Sequence, residues 1–157
     1  MAGINPNGAE MQGIKSFKLA NGQSVAYVTD FFVYTSARIA LAPAANVGSN
    51  IIIQADSDFF LESLTYYADI NGAAATYNSL VIPNVTLIIT DTGSGRQLMN
   101  GAVPVPAICG NGMQPYRLRE PKLFKANSTI QLQITSFEAA NTDYIQFALI
   151  GQKIFYL

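Results

Sequence analysis

Apolar and polar residues alternate with a period of two along much of this chain. The clearest run is Ser128–Ser136, with Ile130, Leu132 and Ile134 on one phase and Gln131, Gln133 and Thr135 on the other. Tyr144–Tyr156 sets Ile145, Phe147 and Leu149 against Gln146, Ala148 and Ile150, and Val85–Asp91 keeps Val85, Leu87 and Ile89 in phase. Successive side chains of a strand point to opposite faces, so this alternation predicts half-buried strands of antiparallel sheets. Further strands are predicted at Ile14–Leu19, Ser24–Val28, Ser49–Ala55, Phe59–Ala68 and Tyr116–Phe124. Phe59–Ala68 is apolar on both phases, with Phe59, Leu61 and Tyr67 on one and Phe60, Leu64 and Tyr66 on the other. A strand of that kind wants cover on both sides, from the core and from a partner or loop.

No segment repeats with the 3.6-residue period of a helix. The Ala-rich piece Ile39–Val47 has Pro43 inside it and Gly48 after it, which argues against helix there. Five Asn-Gly pairs, at Asn7, Asn21, Asn71, Asn100 and Asn111, mark turns, because both residues tolerate the positive φ of tight hairpins. The expected fold is therefore all-β: an antiparallel β-sandwich of about eight strands, with jelly-roll topology and almost no helix. Residues 1–12 carry Gly, Asn and Pro without periodicity and are expected to form a flexible N-terminal arm; 13–157 form one domain.

Composition narrows the function. The chain has 157 residues, enough for one domain that buries a core without staples. Half of it is apolar and only 12% charged, about half the usual charge for a soluble domain. So thin a supply of charge implies that some surface is meant to meet protein rather than water. The net charge of −1 gives no reason to expect nucleic acid as a partner. One cysteine excludes a disulfide scaffold, and the absence of histidine excludes His-based triads, ligands and proton shuttles. Neither a secretion leader nor a membrane-spanning helix is expected, since the start has no basic and apolar regions and no apolar run approaches about 18 residues. The sequons at Asn84 and Asn127 read as chance matches in a chain rich in Asn, Ser and Thr.

Charge is also segregated. Asp56, Asp58, Glu62 and Asp69 share a window without Lys or Arg, while Arg96, Arg117, Arg119, Lys122 and Lys125 dominate positions 96–125. Two ordinary solvated faces explain this; an acidic patch on one subunit facing a basic patch on its neighbour is the alternative.

The motif closest to chemistry is Ile88–Gly95, which is similar to the aspartic-protease signature in carrying Asp91-Thr92-Gly93 after apolar strand residues. Such enzymes need two carboxylates sharing a proton, so one copy requires a homodimer of the retroviral-protease kind. Leu149-Ile150-Gly151 echoes that family's second element, but only Gln152–Leu157 follows, where the family has a short helix and a dimerising strand. Asp-Thr-Gly-Ser-Gly is equally a natural turn, with Asp capping its own backbone. Asp56-Ser57-Asp58 begins like a calcium loop but lacks its Gly and distal Glu. Cys109, in an apolar stretch with no His to activate it, reads as a buried inert thiol. Without Trp, a sugar-stacking platform loses its usual residue. No catalytic residue, metal or cofactor is expected.

The blocks Asp56–Leu61, Ile89–Met99, Pro115–Leu118, Asn127–Ile130 and Phe147–Phe155 resemble small structural proteins of tailed bacteriophages, of the capsid-decoration or cement kind. The likeness covers roughly residues 50–157. It implies a jelly-roll sandwich, no catalytic residues, the major capsid protein as partner, a homo-oligomer (dimer or trimer), and a place on the virion after synthesis in the host cytoplasm. Neck or tail accessory protein is the near alternative, and a dimeric protease using Asp91 the remote one. The residues expected at an interface are Phe59, Phe60, Leu61, Glu62, Tyr66, Tyr67, Arg117, Arg119 and Lys122.

Overall fold

A computed structural model describes residues 13–114 and 116–157, so the expected arm over 1–12 lies outside the described residues. Eleven strands run through the described residues: β1 Lys15–Lys18, β2 Ser24–Thr35, β3 Ile39–Leu41, β4 Asn46–Ile52, β5 Asp58–Asp69, β6 Val85–Asp91, β7 Arg96–Gln97, β8 Val103–Pro104, β9 Tyr116–Phe124, β10 Thr129–Ser136 and β11 Asp143–Tyr156. Helix is confined to one turn, α1 at Val105–Ile108, and two short 3-10 turns. The strands form two antiparallel sheets. The larger has the order β1-β2-β11-β5-β9, with β3 also on β11; the smaller has β4-β10-β6-β7, with β8 also on β6.

The two sheets pack face to face over one core, as an all-β sandwich. β10 contributes Ile130, Leu132 and Ile134, β6 contributes Val85, Leu87 and Ile89, and β11 contributes Ile145, Phe147 and Leu149. These are the in-phase apolar residues of the three clean alternations, and the intervening polar residues lie outside the core. Each fully buried side chain of this size contributes roughly 1.5–3 kcal/mol relative to exposure.

All eight predicted strands are present, β6 and β9 with the predicted bounds and the other six with shifted ends. β2 runs seven residues beyond Val28, because Thr29 and Asp30 interrupt its apolar pattern without ending the pairing to β11. β4 starts three residues earlier than expected, since Gly48 is accommodated within an edge strand. The Ala-rich segment is indeed not helical. It holds β3 and a turn at Pro43-Ala44, where Ala44 takes φ 56°.

Of the Asn-Gly pairs, Asn21-Gly22 turns a hairpin between β1 and β2, with Gly22 at φ 85°. Gly72 and Gly112 also take positive φ, but in loops that do not join neighbouring strands, and Gly101 does not take it at all. Asn-Gly therefore marks turns here more often than hairpins.

β5 departs most from expectation. Its register against β11 pairs Ile150 with Ser63 and Gly151 with Leu61, which leaves Glu62 as an extra residue, a β-bulge. One added residue changes the phase of everything beyond it. Phe59 and Leu61 face the core before the bulge; Leu64, Tyr66 and Ala68 face it afterwards. The strand thus turns one face to the core in each of two halves, leaving Phe60 and Tyr67 on the outside. Gly151 makes the bulge possible: a Cβ there would stand 2.0 Å from the Phe60 carbonyl oxygen.

Candidate docking surface

The strand that is apolar on both faces is β2. Phe32 and Tyr34 turn inward and pack as an aromatic chain, with Tyr34 edge-on to Phe59 at 4.8 Å between ring centroids. On the other phase stand Val25, Tyr27, Phe31 and Val33. The pairing carries that outer phase across the sheet: Phe31 lies opposite Gln152, which lies opposite Phe60, which lies opposite Leu123. Thr29 lies opposite Ile154, and Tyr27 opposite Tyr156. The result is a groove of about 450 Å³ on the outer face of the larger sheet. Phe17, Tyr27, Phe60, Leu123, Ile154 and Tyr156 line it, with Lys15, Thr29, Glu62 and Gln152 as its polar members. Beside it, Phe31 leaves 73% of its surface in water. A mid-strand aromatic so exposed, next to an apolar groove, is what a protein-binding face looks like before it is covered.

A second apolar cleft, of about 330 Å³, opens where β5 ends; Tyr67, Tyr77, Leu80, Ile82 and Met113 line it. Asp69, the last residue of β5, is fully buried and bridges to Leu80 of the cleft wall. One Asp69 oxygen accepts from the Asn71 and Gly72 N–H groups at 2.9 and 2.7 Å, and the other pairs with Arg38. The Arg38 guanidinium also lies over the Tyr67 and Tyr144 rings, at 5.4 and 5.8 Å.

The residues expected at an interface divide accordingly. Phe59, Leu61 and Tyr66 are buried in the core and are corrected out of the exposed surface: Phe59 and Leu61 lie on the inner phase before the bulge, and the bulge turns Tyr66 inward after it. Phe60 and Glu62 line the groove, Tyr67 the cleft at 41% exposure, and Arg117 and Arg119 are exposed on β9. Lys122 reaches between the sheets to within 3.9 Å of Asp91. Phe17, Tyr27, Phe31, Leu123, Ile154 and Tyr156 were missed. A signal for Tyr27 and Phe31 is present in β2, where apolar residues occupy both phases from Val25 to Tyr34.

The segregated charges meet within the chain. Glu62 stands 3.9 Å from Arg117 and Asp58 2.8 Å from Lys125, because β5 and β9 are neighbours. Asp56 pairs at 2.8 Å with the buried Lys153, whose ammonium also sits 4.2 Å from the Phe32 ring centre. Two pairs thus join the acidic window to the basic one, while Asp56 and Asp69 find Lys153 and Arg38 outside it.

Asp91 closes its own turn. Its Oδ1 accepts from the Gly93 N–H at 3.1 Å, its Oδ2 accepts from the Ser94 hydroxyl at 2.6 Å, and the residue is buried. A Cβ on Gly93 would lie 2.7 Å from the Ser128 Cβ, so glycine is required by packing. Cys109 is buried after α1, and burial pushes its thiol pKa up to about 12. Among the described residues no group of three His, Cys, Asp or Glu side chains could hold a metal, and no helix is long and apolar enough to cross a membrane.

No protein family, curated protein or solved structure matches this chain.

Proposed function

We propose that this chain is a non-enzymatic structural component of a phage particle, a decoration protein that clamps neighbouring capsid subunits through the outer face of its larger sheet. The observation that carries the reading is the two-faced β2: its inner aromatics complete the core while Phe31 and the adjoining groove offer an unspent apolar face. A passive clamp needs such a face and no titrating centre, which suits a chain without histidine. Low charge suits it as well, since charged residues are depleted from the centre of interfaces.

Strand order supports the finer part of the reading. β2-β11-β5-β9 lies over β4-β10-β6-β7, the order that two interlocked Greek keys produce in an eight-stranded jelly roll. Many copies on a symmetric shell would multiply modest contacts by avidity.

Co-sedimentation with purified capsids tests the proposal. The wild-type chain should pellet with capsids, and Phe31→Asp should weaken that binding about ten-fold or more while leaving the fold intact. Wild-type protein left free under saturating conditions would overturn it. Gold-labelled chain found on the neck or tail in particle images would move the same surface to that partner.

A further inference from the structure

We infer that β4 is a self-pairing edge, through which two copies of this chain join their smaller sheets across a two-fold axis. The inference goes beyond the capsid reading and does not depend on it, because β4 belongs to the opposite layer from the groove.

β4 ends the smaller sheet and pairs only with β10 among the described residues. The flanking hydrogen bonds say which of its backbone groups are free. Ile53 N–H donates to the Ser128 carbonyl at 2.9 Å, and Ser136 N–H donates to the Ala45 carbonyl at 2.8 Å. In an antiparallel ladder the residues that bond to a given neighbour alternate. Both ends fix the odd-numbered residues as those turned to β10. Asn46, Gly48, Asn50 and Ile52 therefore point their N–H and C=O groups away from the sheet, as an open row of donors and acceptors.

Sheet edges of this kind are normally blunted by charge, proline, bulges or brevity. The other long edge, β9, is blunted: it carries Arg117, Arg119, Glu120, Pro121 and Lys122, and its register slips beside β5. β1 has four residues and a lysine at each end, and β7 has two residues. β4 has seven residues and none of these devices. Its solvent-facing side chains include no charge, and Ile52 is 67% exposed. The adjoining outer positions of β10, at Gln131, Gln133 and Thr135, are uncharged too.

The occupant that fits is a second β4. An antiparallel partner centred on Ser49 sets Asn46 against Ile52 and Gly48 against Asn50 of the other copy. Those are the outward-pointing residues, so donors meet acceptors along the whole strand without a slip. The same centring sets Val47 against Ile51, extending the apolar inner row across the seam. No like charges meet, which is the usual obstacle when a strand pairs with itself.

The test uses the full chain without capsids. Sedimentation velocity across micromolar to millimolar concentrations should show a monomer–dimer equilibrium. In the dimer, amide exchange should slow at Asn46, Gly48, Asn50 and Ile52 specifically. Asn50→Pro removes an N–H that β10 does not use, and should weaken dimerisation about ten-fold or more. Gly48→Lys offers a second handle: a side chain there meets open space in the monomer, yet adds paired positive charge at the seam. It should weaken the dimer similarly even if Asn50→Pro fails to fold. A wild-type chain that stays monomeric throughout overturns the inference, as does a dimer that both variants leave unchanged. Protection of these four amides only when capsid protein is added would also overturn it, by assigning the edge to that partner.

Discussion

The Asp58 carboxylate accepts a hydrogen bond from the Lys125 ammonium at 2.8 Å, although 67 residues separate them in the chain. The same carboxylate accepts from the Ala126 N–H at 2.9 Å and the Tyr156 hydroxyl at 2.9 Å, tying β5, the β9–β10 turn and the end of β11 together. Burial disfavours its charge, but these donors outweigh burial and hold the Asp58 pKa below its ordinary value.

Replacing Asp58 with Ala strands three donors, and should cost about 1–3 kcal/mol in urea unfolding. Lys125→Met should cost at most about 1 kcal/mol, because the Lys125 side chain is 69% exposed. A lowered carboxylate pKa stabilises the fold above its unfolded value and loses that contribution as pH falls through the folded one. Stability should therefore decline below about pH 4, with a shallower decline in Asp58→Asn. Equal acid slopes in the two proteins would refute the assignment.

Gly151→Ala should destabilise by about 3 kcal/mol, since its methyl would collide with the Phe60 carbonyl and the bulge would have to yield. Gly48→Ala, where a Cβ meets nothing within 4 Å, should change stability by less than about 1 kcal/mol. Thermal melts of the pair separate a steric requirement from a general intolerance of substitution.

Asp143 is buried at the start of β11, and its Oδ2 has no hydrogen-bond partner among the described residues. Burial first, and Glu138 second, raise its pKa. A raised carboxylate pKa opposes folding at neutral pH and ceases to do so once the group is protonated. Asp143→Asn should thus stabilise by about 1 kcal/mol at pH 7, with the gain vanishing as pH falls through the carboxyl's own pKa. Denaturant titrations at neutral and acid pH read both parts.

Cys109, with its thiol pushed up to about 12 and buried, should not react with a disulfide reagent in the native state. Labelling should follow the unfolding curve; prompt reaction in buffer would show an opening that the packing around α1 does not suggest.

Alternation made the sandwich legible. Wherever one face is dry and the other wet, as in β6, β10 and β11, the residue pattern states the inner face outright. It fails where pairing overrides pattern. In β5 two aromatic doublets, Phe59-Phe60 and Tyr66-Tyr67, conceal a phase change that only the register with β11 reveals. In β2 the polar pair Thr29-Asp30 reads as an end, yet β11 holds the strand straight through it. The outer groove draws one to three residues from each of β1, β2, β5, β9 and β11, so no local window contains it. Likewise the acidic and basic windows look like separate faces until β5 and β9 lie side by side.

The kink at Glu62 has one more consequence. What matters at that point is that the extra residue stays outside the ladder, more than which residue it is. Exchanging Glu62 for another amino acid leaves the count unchanged and the inside of the molecule in order. Drawing it into the ladder would turn the far half of β5 over, delivering Thr65 and Tyr67 to the interior and Leu64, Tyr66 and Ala68 to water, whereas deleting it would set Ser63 directly after Leu61 and leave the same side chains inside.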